Sequence, residues 1–130
     1  MIPIVYINCS LFPFVSWIIS GLKIYETRNK NTLKNLIGKQ VYISMTGKGK
    51  AIVLCLATIE SCTIIDNPEQ YNAMREFTRI DKGSVFDWKQ NTKKKYLYKL
   101  SHVVPVQSFQ VPETCIKHGR TWCEYIPAKQ

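Results

Sequence analysis

Three ionisable side chains, Lys23, Glu26 and Arg28, fall close together in the run from Gly21 to Arg28. They are the first charges in the chain, since residues 1–22 carry none. A carboxylate beside a lysine and an arginine is held ionised by them. Such a trio can bind phosphate through Arg28 and position a base or a water with Glu26. It can equally be a structural ion pair that pins a strand to a helix. For catalysis, Lys23 would serve as an activated base or nucleophile, Glu26 as proton carrier, and Thr27 would add a hydroxyl. That role needs a depressed lysine pKa, which burial supplies, while Glu26 and Arg28 shift it in opposite directions. A regular strand would point Lys23 away from Glu26 and Arg28. Their convergence therefore requires a bend or bulge near residues 22–25.

Three other groups suit phosphate or base contact. The Gly47-Lys48-Gly49-Lys50 turn offers backbone N–H groups and two ammonium groups. It lacks the spacing and the following helix of a P-loop, and a solvated hairpin tip explains it as well. Lys93, Lys94 and Lys95 precede Tyr96 and Tyr98. Lysines interleaved with aromatic rings suit single-stranded nucleic acid, or simply a charged loop entering an amphipathic strand. Arg120 and Trp122 follow Gly119. Arg120 could bind phosphate, and Trp122 could stack on a base or plug a core.

The elements that must position these residues are short. Residues 2–7 are β-branched and aromatic, as a strand buried on both faces requires. Pro13 suits the first turn of a helix whose apolar face is Phe14, Trp17 and Ile18, with Gly21 as its left-handed cap. Residues 24–28 read as extended, and residues 29–35 as a polar loop or helical turn. Residues 39–59 read as a hairpin: Val41, Ile43 and Met45 share one face, Tyr42 and Ser44 the other. Asp66 or Asn67 caps a helix with Pro68 at its first position; Met74 and Phe77 are its expected core contacts. Residues 80–88 are irregular, 95–106 form a long strand, and 119–125 a final short one.

Composition narrows the class. At 130 residues the chain reads as a single domain, 1–130, able to fold without disulfides or metal. Eighteen Lys and Arg face nine Asp and Glu, a formal charge of +9. The excess is concentrated: residues 23–50 hold seven basic side chains and one acid, and residues 89–99 five lysines and no acid. Residues 51–88 are acidic on balance. Such asymmetry points to a basic face for a polyanion. Five cysteines, an odd number without Cys-x-x-Cys spacing, fit free thiols in a reducing, cytoplasmic setting. Neither a metal nor a cofactor is expected. The uncharged N-terminal run lacks the basic start of a secretory signal and is interrupted by Pro3, Asn8 and Pro13, so no membrane segment is expected.

The pattern Gly-x-Lys-x-x-Glu-x-Arg, set between a short helix and a strand, resembles the signature of the ASCH family. The order of elements around it extends the likeness over most of the chain. The resemblance implies an α+β fold: a small PUA-like mixed β-barrel of five to six strands with two or three flanking helices. It implies a cleft beside the first helix lined by Lys23, Glu26 and Arg28, and a monomer that binds RNA, a nucleotide or a nucleoside. Tyr25, Lys48, Lys50, Lys93, Lys94, Arg120 and Trp122 would complete the binding surface. The family also includes amidohydrolases of acetylcytidine and ribonucleases, so a small hydrolase is the alternative. The amidohydrolase members carry Lys-x-x-Thr and a distant Glu. Here the third residue after Lys23 is Glu26, and Thr27 comes one later. On a strand that shift turns the hydroxyl to the other face. Glu60 is the candidate for the distant carboxylate.

Overall fold

The computed structural model describes residues 2–125. The apolar opening run is strand β1 (Ile2–Asn8). Helix α1 (Phe14–Ile19) follows and buries Phe14, Val15 and Ile18. Gly21 ends it at φ +83°, a conformation glycine adopts without a Cβ clash. After the short strand β2 (Tyr25–Arg28), a single 3-10 turn spans Lys34–Leu36. Then come β3 (Gln40–Thr46), β4 (Ile52–Ile65), α2 (Pro68–Ala73) and α3 (Arg75–Thr78). Strands β5 (Lys95–Gln110), β6 (Ile116–His118) and β7 (Trp122–Tyr125) complete the described chain. Among the described residues no helix is long and apolar enough to cross a membrane.

The strands form one mixed sheet in the order β2-β5-β4-β3-β1-β7-β6. β1 runs parallel to β3, and every other ladder is antiparallel. The sheet has seven strands rather than five to six. The extra one is the three-residue edge β6, whose residues are all exposed and so carry no apolar alternation to read.

The sheet curls strongly. β2 and β1 lie four strand spacings apart, about 19 Å in a flat sheet. Yet Nη2 of Arg28 on β2 donates to the carbonyl of Tyr6 on β1 at 2.7 Å. No ladder joins these two strands, so the half-barrel keeps an open seam spanned by a side chain. Bulges in the antiparallel β4–β5 pair supply the bend, at Val53/Cys55, Leu56/Thr58 and Ile59/Ser61. His102 takes φ +51° beside the second of these. Both strands run further than expected, to Ile65 and Gln110, because a bulge interrupts side-chain alternation without ending the ladder.

Ser44 shares a face with Tyr42 as expected: the extra residue of the bulge opposite Ile43/Ser44 is Leu54 on β4, so β3 keeps its alternation. Ser44 is buried there, and its hydroxyl donates to the Val5 carbonyl at 2.9 Å. One local expectation needs correction: Phe77 is 38% exposed rather than a core contact, while half-buried Met74 packs against the core. The expected helix breaks at Met74 (φ −97°, ψ 1°) into α2 and α3, which rotates the face, and fully buried Tyr71 takes the core position. The Asn67 cap stands as expected, its side-chain oxygen accepting from the Gln70 N–H at 2.8 Å.

The loop after β2 is fastened to β5 by Tyr98. Its hydroxyl accepts from the Leu33 N–H at 3.2 Å and donates to Asn31 Oδ1 at 2.6 Å. Tyr98 is fully buried, so Tyr98→Phe leaves a buried donor unmet. The expected loss is about 1–3 kcal/mol of unfolding free energy, read from urea denaturation midpoints.

Candidate functional site

The seam between β1 and β2 is a cleft of about 390 Å³. Tyr6, Ile7 and Asn8 line one wall, and Glu26, Thr27 and Arg28 the other. Phe14 of α1, Phe86 of the irregular segment 80–88, Lys95 of β5 and Arg120 complete it. The cleft exists because the sheet fails to close there, and helix α1 fills the barrel behind it, packing on β1, β3 and β5.

Glu26 is the most unusual side chain in the cleft. It is only 6% exposed. Oε1 accepts from the Thr27 N–H at 2.9 Å, whereas buried Oε2 has no hydrogen-bond donor. The Arg28 guanidinium lies 3.8 Å away, close enough for charge compensation but not for a hydrogen bond. Arg28 meanwhile commits Nη2 to the Tyr6 carbonyl. The pair thus sets an acceptor and a cationic donor side by side in the cleft wall, with Oε2 itself buried.

Lys23 lies just before β2, in the non-repetitive segment that leads into it, so the alternation of a strand does not govern it. It is 1% exposed and does not line the cleft. Its ammonium donates to the Thr78 carbonyl and sits 4.7 Å from the centre of the Phe14 ring. Phe14 therefore stands on the cavity wall with Lys23 against it. Burial pulls the Lys23 pKa down to about 8, with Glu26 working to raise it and Arg28 to lower it.

Lys95 is a second buried lysine, 4% exposed. Its ammonium donates to Asn29 Oδ1 at 2.6 Å and to the Phe86 carbonyl at 3.0 Å. The Tyr71 hydroxyl donates to the same carbonyl at 3.3 Å. Burial lowers the Lys95 pKa, partly offset by Asp87. Because the ammonium can only donate, Asn29 must accept through its oxygen and keep its amide N–H groups for other partners. The cleft wall carrying Phe86 is held further by Asp87. Its carboxylate accepts from Gly83 N–H, Trp88 N–H and Arg75 Nη2, each at 2.7 Å. Burial works to raise the Asp87 pKa, but these donors prevail and hold it below its usual value. The Phe86 ring packs edge-on against Phe14 with centroids 5.3 Å apart.

The architecture has known counterparts. ASCH from Zymomonas mobilis superposes with a TM-score of 0.62 at 20% identity, covering 81% of this chain and 71% of that one. A serine-to-alanine variant of the same protein gives 0.65 at 22% identity, covering 82% and 72%. A tyrosine-to-phenylalanine variant gives 0.65 at 21%, covering 82% and 74%. The fold is that of an ASCH domain. It is an α+β arrangement, as the signature implied, built as a loose barrel with an open seam. No family model matches the chain, and no curated protein sequence does.

Of the residues singled out from sequence, this ASCH-type fold brings Glu26, Thr27, Arg28 and Arg120 together at the cleft, with Lys23 buried behind Phe14. Tyr25 is half-buried against the core and lines no part of the cleft. Lys48 and Lys50 are exposed on the β3–β4 turn. Gly47 in that turn sits at φ +89°, which strains any side chain, and an added Cβ would also fall 3.1 Å from the Ser10 backbone nitrogen. Lys93 and Lys94 are exposed just before β5. Trp122 is half-buried and stacks on His118 at 4.0 Å between ring centres, away from the cleft lining. Glu60 is exposed and lies 3.8 Å from Lys99, outside the cleft. Sequence reasoning missed Tyr6, Phe14, Asn29, Phe86 and Lys95 as cleft residues. A signal existed for Lys95: it shares strand parity with Leu97, which is fully buried.

Proposed function

We propose that this ASCH-type domain binds RNA or a nucleotide in the seam cleft. The observation that carries the reading is the Glu26–Arg28 pair in the wall of a cavity of about 390 Å³, with Glu26 Oε2 buried and without a donor. An unpaired buried acceptor is costly unless a ligand supplies a donor. The exocyclic amine or ring N–H of a nucleobase is such a donor, and the adjacent guanidinium suits a base carbonyl or a phosphate oxygen. Phe14 and Phe86 offer apolar walls for a flat ring, and Arg120 adds positive charge at the rim. The +9 net charge would steer a polyanion toward the surface. Fluorescence-anisotropy titration of a short single-stranded RNA at low and moderate salt tests the reading, with wild type and Arg28→Ala compared. Affinity that falls with salt and with the substitution supports it; affinity indifferent to Arg28 overturns it.

One observation favours a second reading, hydrolysis of a modified nucleoside. With its pKa near 8, Lys23 is partly neutral at physiological pH, next to a cleft lined by Glu26 and Thr27. Its burial behind Phe14 means that the ring would have to move before Lys23 could touch a substrate. A mass-spectrometric screen across acylated and alkylated nucleosides tests this: turnover lost in Lys23→Met supports it, and no turnover across the panel eliminates it.

A further inference from the structure

Away from the cleft, the smaller of the two core clusters holds a pair of thiols. Ile4, Val53, Cys115 and Cys123 form its buried centre, with Tyr6 and Tyr42 packed against it. Cys115 is 8% exposed and Cys123 0%, and both are free. They come from the two arms of the β6–β7 hairpin. Cys123 lies on β7 opposite Lys117 of β6. Cys115 directly precedes β6, where its N–H donates to the Pro112 carbonyl at 3.2 Å. The two thiols are within hydrogen-bonding reach of each other, and the Tyr6 hydroxyl reaches Cys123 as well. The other cysteines are placed differently. Cys9 and Cys55 belong to the larger cluster, and Cys62 packs against it. Cys55 and Cys62 stand on one extended strand, about 20 Å apart, too far to join.

We infer that Cys115 and Cys123 form a reversible disulfide, a two-electron redox site that is separate from any ligand of the cleft. A peroxide is the class of oxidant that fits, since it is small enough to reach a sulfur that is 8% exposed. The Cys115 thiolate attacks one peroxide oxygen, the O–O bond breaks, and the leaving hydroxide takes up the thiol proton as water. Cys115 is then a sulfenic acid. The Cys123 sulfur attacks the Cys115 sulfur, the S–O bond breaks, and hydroxide leaves as water with the Cys123 proton. Two thiols have lost two electrons and two protons, and one peroxide has become two waters. Exposure assigns the order: Cys115 meets the oxidant, and fully buried Cys123 resolves it. Burial, then the neighbouring thiol, push the Cys115 pKa up to about 11. Its thiolate is therefore scarce at neutral pH, and the rate should rise about tenfold per pH unit. The bond closes the loop 115–123, which carries Lys117 and Arg120. β6 is an edge strand that pairs only with β7, so the bond pins an edge held on one side.

The test is a peptide map. Wild type is treated with hydrogen peroxide at pH 7 and at pH 9, blocked with N-ethylmaleimide and cut with trypsin. Cleavage after Lys117 and after Arg120 separates the two cysteines, so their peptides stay together only through a disulfide. One linked pair, Cys115 with Cys123, is expected, about 2 Da below the sum of its two peptides. It should form about a hundredfold faster at pH 9, disappear with dithiothreitol and be absent from Cys115→Ser. A sample oxidised in urea is the control. There Cys55 and Cys62 should link as readily, because loop closure in an unfolded chain depends on separation alone. Hydrogen exchange of the oxidised protein should slow at least about fivefold at the amides of residues 116–121. Cys115 carried to sulfinic acid with no link, links dominated by another pair in the folded protein, or a protein left unmodified by peroxide would each overturn the inference. None of these outcomes bears on the binding reading of the cleft, which the Arg28 titration decides.

Discussion

Arg28→Ala is expected to weaken RNA binding by at least about tenfold and to destabilise the fold by about 2–4 kcal/mol, from the charge it removes and the charge it strands. Arg28 has two roles at once. Its guanidinium ties β2 to the Tyr6 carbonyl across the seam, and it lies 3.8 Å from the buried Glu26 carboxylate. Removing it leaves a buried anion and a buried carbonyl unmatched, which is the expensive way to break such a pair. Two further variants separate binding from folding. Arg28→Lys keeps the charge but loses the planar fork, so stability should recover more fully than affinity. Glu26→Gln combined with Arg28→Met removes both charges together, so stability should return toward wild type while binding stays lost. Urea titrations and RNA anisotropy on the same samples read the two effects. If the double variant binds RNA as wild type does, the pair is a structural clamp and nothing more.

Lys23→Met is expected to raise stability at pH 7, and the gain should shrink as pH rises from 8 to 10.5. The sign follows from linkage. Burial lowers the folded pKa of Lys23 to about 8, below the unfolded value near 10.5. Between those two values the unfolded chain holds the proton and the folded chain does not. Stability contributed by this group therefore rises with pH across that window. The penalty at pH 7 corresponds to about 3 kcal/mol. Methionine escapes it but forfeits the bond to the Thr78 carbonyl, worth about 1 kcal/mol, so a net gain of about 2 kcal/mol is expected. The wild-type profile alone would mislead. Burial raises the pKa of Cys9, Cys55, Cys62 and Cys115, and their unfolded-state ionisation lowers stability over the same range. The difference between variant and wild type cancels the cysteines and isolates the lysine. A difference that stays flat with pH would mean that Lys23 is not desolvated in the native state.

Such a lysine is costly, which raises the question of what retains it. Its ammonium braces the Thr78 carbonyl at the end of α3 and lies over the Phe14 ring on the cleft wall. It thereby links the helix that fills the barrel to the segment that walls the cleft. A charged form that is easily neutralised is also the state a proton-transfer step would need.

Much of the fold was legible because local physics decided it. β-branched runs gave β1 and the β3–β4 hairpin, the Asn67–Pro68 pair gave the start of α2, and Gly21 gave the end of α1. Glu26, Thr27 and Arg28 could be named as candidates from residue type and spacing alone, and the imbalance of charge pointed to a polyanion. Tertiary structure decided the rest. Bulges curled the sheet and left a seam, which brought Tyr6 against Arg28 from 22 residues away. Long-range packing chose Lys95 rather than its neighbours Lys93 and Lys94 for burial, through Asn29 at a separation of 66 residues. It also broke the helix at Met74 and exposed Phe77. Periodicity and propensity are properties of neighbouring residues, so a sequence displays them directly. A cleft is made where strands fail to meet, and that depends on the sum of small bends along the whole sheet, which no single stretch of sequence records.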